Sequence, residues 1–220
     1  EAMTALALVY PVQNLITSIA VGFGIGINAC VAFYLGADDK LKADNAASSG
    51  VFLSIIHGIL LMIFCIGGMP LFVRMFSSDE VVIGMALAYS RRAFAFAIMV
   101  TVGIAFEKIF QATGRMKVSM ISMICGFVTN IVLDYLFIAV FRWGIGGAAV
   151  ATGLGYSITA IVGLLVFSNR NSLLHFVRPV CRPQTLGRAV TNGCSEMATA
   201  LVNGIITLMF NWTMLKYVGE

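Results

Sequence analysis

The sequence predicts an all-α membrane protein, a polytopic bundle of transmembrane helices. Apolar residues make up 60% of the chain, charged residues only 11%, and the mean hydropathy is +0.95. A soluble domain carries about 25% charged residues, because water must wet its surface. Here the charges are too few for that, so most of the surface is expected to face the lipid bilayer.

Six segments are long enough to cross a hydrocarbon core, which takes about 20 helical residues. Alternating apolar and polar runs of about ten residues, typical of outer-membrane barrels, are absent. Each span is therefore predicted to be a helix. The spans cover residues 9–35, 47–73, 93–112, 117–141, 146–168 and 189–215.

The start of the third span is interrupted by two arginines. Its apolar pattern begins near Val81, but Arg91 and Arg92 interrupt it. Two adjacent arginines are costly in the middle of a membrane. We therefore predict a surface helix over residues 80–90 and begin the span at Ala93.

Lys and Arg in alternate loops predict the orientation, because cytoplasmic loops carry the excess of positive charge. Nine lie on one side and five on the other. The nine are Lys40, Lys42, Lys108, Arg115, Lys117, Arg170, Arg178, Arg182 and Arg188; the five are Arg74, Arg91, Arg92, Arg142 and Lys216. The first set is expected in the cytoplasm, so the first span runs from outside to inside. That direction, and a start at Glu-Ala-Met, indicate a piece of a longer protein.

The connection over residues 169–188 differs from the short loops elsewhere. It is about 20 residues long and basic, and it contains Pro179 and Pro183. In a bundle of short connections, such a segment indicates a cytoplasmic linker between two halves. The predicted domains are 1–168, the linker 169–188, and 189–220 as the first helix of a truncated second half.

Ionisable groups inside the spans are the first candidates for function, because each is expensive there. Asp134 follows Asn130 by four residues, which places both on one helix face. They lie about 10 Å from the outer end of their span, at 1.5 Å per residue. Thr152 lies at nearly the same depth in the next, antiparallel span. The three side chains are expected to form one pocket, or else an interhelical hydrogen-bond clamp.

Four other polar groups lie in or near the spans and have both a functional and a structural interpretation. Glu196, about eight residues into the last span, could bind a coupling ion or cationic substrate, or reach the interface. Gln13 is either a pocket wall or an interfacial residue. We interpret His57 as a core histidine with one hydrogen-bond partner. The adjacent Glu107 and Lys108 are interpreted as a structural pair at a helix end, where Lys can extend to the interface.

The charge distribution, the cysteines and the polar residues argue against other classes of function. The net charge of +4 is concentrated between the hydrophobic runs, which argues against a nucleic-acid partner. The five cysteines form no CxxC pair, so neither a zinc site nor a disulfide framework is indicated. Nothing places a nucleophile beside a base, so an enzyme is not expected. We predict no cofactor and no resident metal.

Several motifs resemble the multidrug and toxic compound extrusion (MATE) transporters. They are Tyr10–Gln13 (YPVQ), Leu35–Asp38 (LGAD), Phe110–Lys117 (FQATGRMK), Asn130–Ile138 (NIVLDYLFI) and Trp143–Thr152 (WGIGGAAVAT). Their order and spacing extend the likeness over essentially the whole chain. Members of that family have twelve helices in two six-helix lobes. The resemblance implies that this chain holds helices two to six of the N-terminal lobe, the linker, and the first helix of the C-terminal lobe.

The resemblance also implies a function: a monomeric antiporter in the plasma membrane that exports organic cations or other amphipathic drugs. The coupling ion would be H⁺ or Na⁺. In one branch, Asn, Asp and Thr join a cation-linked polar network, and Asn130, Asp134 and Thr152 match those positions, with Asp134 the candidate Na⁺ ligand. Another branch uses a carboxylate on the seventh helix, to which Glu196 corresponds.

Two alternatives stay open. A flippase for lipid-linked oligosaccharides shares the architecture, but it needs a basic lining for phosphate groups. The mid-span ionisable groups Asp134, Glu196 and His57 instead favour a cationic or neutral cargo. A structural or channel-like membrane subunit would need no buried Asp, Asn and Thr together.

Overall fold

Helices account for nearly all of the chain in the computed structural model, which describes residues 2–169, 173–180 and 183–218. No strand occurs in these ranges, so the predicted all-α class is confirmed. The α-helices are α1 (Ala2–Gly36), α2 (Lys40–Phe76), α3 (Glu80–Ala95), α4 (Ala97–Ala112), α5 (Met116–Asp134), α6 (Ile145–Ser168) and α7 (Pro183–Val218). A π-helical segment, Tyr135–Val140, extends α5.

The number of membrane spans also agrees with the prediction. Five helices (α1, α2, α5 with its extension, α6 and α7) are long and apolar enough to cross a membrane, and α3 with α4 makes a sixth if counted as one broken span. The helices alternate in direction. We call the end at which α1, α4 and α6 finish the linker end, and the opposite end the far end.

The break in the third span lies at Phe96, not before Ala93 as predicted. α3 and α4 are bent by 45° there, and the Phe96 N–H donates to the carbonyl of Ala93 at 3.2 Å. Arg91 and Arg92 belong to α3 and are exposed. The predicted surface helix over 80–90 is thus the first part of a longer helix, because the backbone stays helical beyond the arginines.

The core centres on α4, which packs against α1, α2 and α6. Phe106, Ile109 and Phe110 of α4 are at most 1% exposed. Gly163 of α6 lies directly against the Phe106 ring, and a Cβ atom there would overlap the ring. Lipid supplies no hydrophobic force between helices, so close van der Waals packing at small residues holds such a bundle together.

Large apolar side chains cover the outside of the bundle. On α2, Phe64 is 73% and Leu71 72% exposed, and on α5, Ile131 is 67% exposed. A protein in water rarely exposes contiguous apolar surface of this kind. These faces therefore belong against lipid or against other membrane helices.

A short extended segment, residues 173–180, is fastened to the start of α2. The backbone N–H of His175 donates to the Asp44 carboxylate at 2.9 Å, and the backbone N–H of Val177 donates to the Ser48 hydroxyl at 3.0 Å. Leu174 is 1% exposed and joins the core around Phe106. Part of the predicted linker is therefore attached to the first six helices.

α7 lies antiparallel along the whole of α1. Near its start, the Thr185 carbonyl is 3.6 Å from the Cys30 thiol, and near its end the Asn211 amide donates to the Ala7 carbonyl at 3.2 Å. α7 begins at Pro183, six residues before the predicted span, because proline is well suited to the first helical position. α7 thus includes residues 183–188 of the predicted linker; Arg170 and Arg182 lie outside the described residues. The division into lobes stays a prediction.

We expect Gly163→Ala to lower the free energy of unfolding by about 1–3 kcal/mol, because its methyl group would force the buried Phe106 ring to move. Gly67→Ala on α2 is the matched control, since no atom lies within 4 Å of its added Cβ. Unfolding in mixed micelles measures the change in the free energy of unfolding for each variant. Equal effects would contradict this account of the core.

Candidate functional site

The polar site begins where α5 and α6 cross closely. A Cβ on Gly126 would lie 2.8 Å from the carbonyl oxygen of Gly155, so the two backbones are nearly in contact. One turn further along α5, Asn130 Nδ2 donates to Thr152 Oγ1 at 3.4 Å. The glycine crossing therefore brings together two of the side chains that the sequence placed at equal depth.

Asp134 lies one turn beyond Asn130, at the junction of α5 with the π-helical segment. Its Oδ1 is enclosed and has no hydrogen-bond partner among the described residues. Because π-helical turns inside α-helices occur frequently at functional sites, the junction adds weight to this position. The sequence pattern contained no signal for it.

The turn after the π-helical segment determines how α6 enters the site. Trp143 stacks on Phe137 with ring centroids 4.8 Å apart, and the backbone N–H of Trp143 donates to the Phe137 carbonyl at 2.8 Å. Gly144 follows with φ of +60°, a conformation in which a side chain would be strained. α6 then starts at Ile145 and carries Thr152 two turns into the bundle.

Gln13 approaches the same region from α1. Its side-chain oxygen accepts a hydrogen bond of 3.4 Å from the Tyr89 hydroxyl on α3. This hydrogen bond joins α1 to α3 beside the cavity that Gln13 lines.

Two cavities meet at Thr152 and Tyr156. One, of about 80 Å³, is enclosed by α1, α3, α4 and α6 and includes Gln13. The other, of about 130 Å³, lies between α5 and α6 and includes Asn130. Thr152 and Tyr156 line both, so five helices (α1, α3, α4, α5 and α6) contribute to this region.

Tyr89 and Tyr156 were not identified from the sequence. Tyr156 follows Thr152 by four residues, the same spacing that identified Asn130 with Asp134, so this signal was present. Tyr89 lies in the amphipathic α3 and offered no comparable signal.

Glu196 lies apart from this cluster. It is exposed on α7, beside Met197, which packs against Gly22 of α1. The structure does not bring Glu196 next to Asn130 or Thr152. Its predicted role in coupling therefore stays a prediction without a contact to support it.

His57 has the surroundings expected of a core histidine. Its Nδ1 is 2.8 Å from the Leu53 carbonyl, and its ring stacks on Phe23 with centroids 4.7 Å apart. Within the part of the chain that the structure describes, its Nε2 has no partner.

Chemically, the cluster offers carboxylate, amide and hydroxyl oxygens inside an apolar bundle. Oxygens of these types are ligands for hard cations, and the carboxylate can also take up a proton. No group of three or more His, Cys, Asp or Glu residues that could hold a metal ion occurs within the described ranges.

Within the described residues, five candidate membrane spans, or six with the bent pair α3–α4, define a polytopic membrane protein with polar side chains between its helices. The MatE family model matches residues 1–136, more than half of the chain. The chain belongs to the multidrug and toxic compound extrusion (MATE) family.

Curated relatives include the multidrug export proteins MepA of two staphylococci. That of Staphylococcus saprophyticus is 23% identical over 98% of this chain and 48% of its own length. That of Staphylococcus aureus is 21% identical over the same shares. The chain thus spans about half the length of these relatives.

Solved structures of MATE transporters have the same fold. An inward-facing multidrug resistance transporter of the MOP superfamily aligns with a TM-score of 0.94 and 26% identity, over 99% of this chain and 50% of that one. An outward-facing conformation aligns with a TM-score of 0.89 and 26% identity, over 99% of this chain and 49% of that one.

We expect Asn130 and Thr152 to be energetically coupled by about 0.6 kcal/mol, the average for interhelical hydrogen bonds in membranes. A double-mutant cycle with Asn130→Ala and Thr152→Val, read by unfolding in mixed micelles, measures this energy. Thr152→Ser, which keeps the hydroxyl, should preserve the coupling. A coupling of zero would mean that the two side chains are only neighbours.

Proposed function

We propose that this chain contributes most of one lobe to a secondary antiporter that exports organic, cationic compounds in exchange for H⁺ or Na⁺. The observation that carries the proposal is the Asn130–Thr152 hydrogen bond between α5 and α6, with the Asp134 carboxylate one turn further along α5. The MepA relatives, named as multidrug export proteins, support the same activity.

The arrangement of the chain in the membrane is part of this proposal. The linker end, where the basic residues are concentrated, faces the cytoplasm of a cell whose plasma membrane holds the protein as a monomer. The helices up to Ser168 belong to the N-terminal lobe and α7 to the C-terminal lobe. Asp134 then lies toward the outside, where a coupling ion enters down its gradient.

In the mechanism that we propose, the ion acts on the Asp134 carboxylate. A proton or Na⁺ there removes or screens a charge in an apolar bundle, beside an oxygen (Oδ1) that has no hydrogen-bond partner within the described ranges. Packing around the α5 extension then changes, and substrate is released outward. The ion drives this change only by as much as its affinity differs between the two conformations.

We expect Asp134→Asn to reduce gradient-dependent efflux at least tenfold, because the amide can neither take up a proton nor attract Na⁺ by charge. The assay measures efflux of a fluorescent organic cation from proteoliposomes that contain the whole transporter, under a pH gradient and, separately, a sodium gradient.

Asp39→Asn is the matched control, because Asp39 is a surface carboxylate at the α2 start, and asparagine replaces it well there. Unchanged efflux by Asp134→Asn would move coupling elsewhere, with Glu196 next. No transport under either gradient would favour the lipid-linked oligosaccharide flippase.

A further inference from the structure

A second group of charged side chains lies on α4, toward the linker end. The Lys108 ammonium is 3.2 Å from Glu107 Oε1, and the Gln111 amide donates to the same oxygen at 3.0 Å. The side chains of Glu107 and Lys108 are only 20% and 18% exposed. This is an ion pair largely withdrawn from solvent inside an apolar bundle.

The pair lies below the cavity that contains Thr152. Val100 lines that cavity, and Glu107 follows it by seven residues, which places it on the same α4 face and about 10 Å nearer the linker end. Gly103, between them, packs against the backbone of Tyr156. One face of α4 therefore connects the polar region with Glu107.

A lysine that only extends to the membrane surface would look different. Such a side chain keeps its ammonium in water and buries only its stem. Here the ammonium is turned toward Glu107 and Gln111, and the Lys108 stem lies against Gly24 of α1. Asn28 of α1 also donates to the Lys108 carbonyl at 3.0 Å. The pair is held inside the bundle, where charges are costly.

The geometry of the pair makes it easy to separate. Consecutive residues on a helix do not face each other, so Lys108 reaches Glu107 only by bending its own side chain back. The lysine stem is flexible and carries a single compact charge, so its ammonium can move away without disturbing the backbone. Gln111 would still hold the carboxylate in place.

We propose that Glu107 is a binding subsite for the organic cation, which binds there by replacing the Lys108 ammonium. The inference rests on the proposed antiporter function and names the residue that receives its substrate from the cytoplasmic side. Without substrate, Lys108 neutralises the carboxylate; with substrate, the cation does so, and the lysine swings toward the interface.

A neighbouring cavity suits the apolar part of such a ligand. It has a volume of about 440 Å³, and Gln111 lines it together with Met120, Met123 and Phe127. Methionine and phenylalanine adapt to varied apolar shapes, and the volume lies in the range of sites for drug-sized molecules. Lys117 also lines the cavity, in the first turn of α5, from which its ammonium can reach the bilayer surface. The subsite is therefore expected to take lipophilic monovalent cations.

The test is equilibrium binding of tetraphenylphosphonium to the whole transporter in lipid nanodiscs. Glu107→Gln should weaken binding about tenfold, because the Coulomb attraction between the carboxylate and the phosphonium cation is lost. Lys108→Met should instead tighten binding severalfold, because the competing cation is removed. The double variant should resemble Glu107→Gln, and binding of the neutral triphenylphosphine oxide should change in none of them.

A purely structural pair predicts a different pattern. Both single variants would then shift binding in the same direction or leave it unchanged, and either result overturns the subsite while the antiporter proposal stands. If the wild type neither binds nor exports tetraphenylphosphonium, the antiporter proposal fails, and the subsite fails with it. Should Glu107→Gln not fold, Glu107→Asp replaces it; that variant keeps the charge and should weaken binding less than tenfold.

Discussion

Close contact between helices at glycines is the constraint on which the rest of this structure depends. In lipid, apolar side chains gain nothing by leaving their solvent, so helices associate where their surfaces fit most closely. Gly126 with Gly155 joins α5 to α6, and Gly163 receives the Phe106 ring of α4. Without these contacts, Asn130 on α5 could not reach Thr152 on the adjacent α6.

The same contacts govern α7. Gly193 lies against the Gly22 backbone, and Gly26 against that of Ala189, so the backbones of α1 and α7 nearly touch near the linker end. If α7 belongs to the second lobe, this is where the two lobes meet, and movement between them must open or slide this contact. The segment over residues 173–180 is held to α2 by its hydrogen bonds to Asp44 and Ser48.

Charge inside the bundle follows a consistent pattern. Asp134, near the far end, has an oxygen without a partner among the described residues, whereas Glu107, near the linker end, is paired with Lys108. A buried carboxylate without a partner is stabilised when it binds a cation, whereas a carboxylate that is already paired does not need a further cation. The roles that we propose for the two carboxylates rest on this difference, with a coupling ion at Asp134 and an organic cation at Glu107.

Much of this organisation could be predicted from the sequence. Runs of apolar residues identified the spans, because a helix that crosses lipid must be apolar over about 20 residues. The four-residue spacing of Asn130 and Asp134, with Thr152 at equal depth, identified three side chains, of which the structure joins Asn130 and Thr152 by a hydrogen bond. That these residues couple transport to an ion stays a prediction, as does the role of Glu196.

By itself, the sequence determined the fold class, the approximate spans and the depth of each polar side chain, because these follow from local composition and helical rise. Only the tertiary structure decided which faces meet. The bend at Phe96, the π-helical segment after Asp134, the positions of Tyr89 and Tyr156, and the inward turn of Lys108 depend on contacts between residues far apart in the chain. Local periodicity carries no information about such contacts, because it specifies a helix face without specifying the neighbour that covers it.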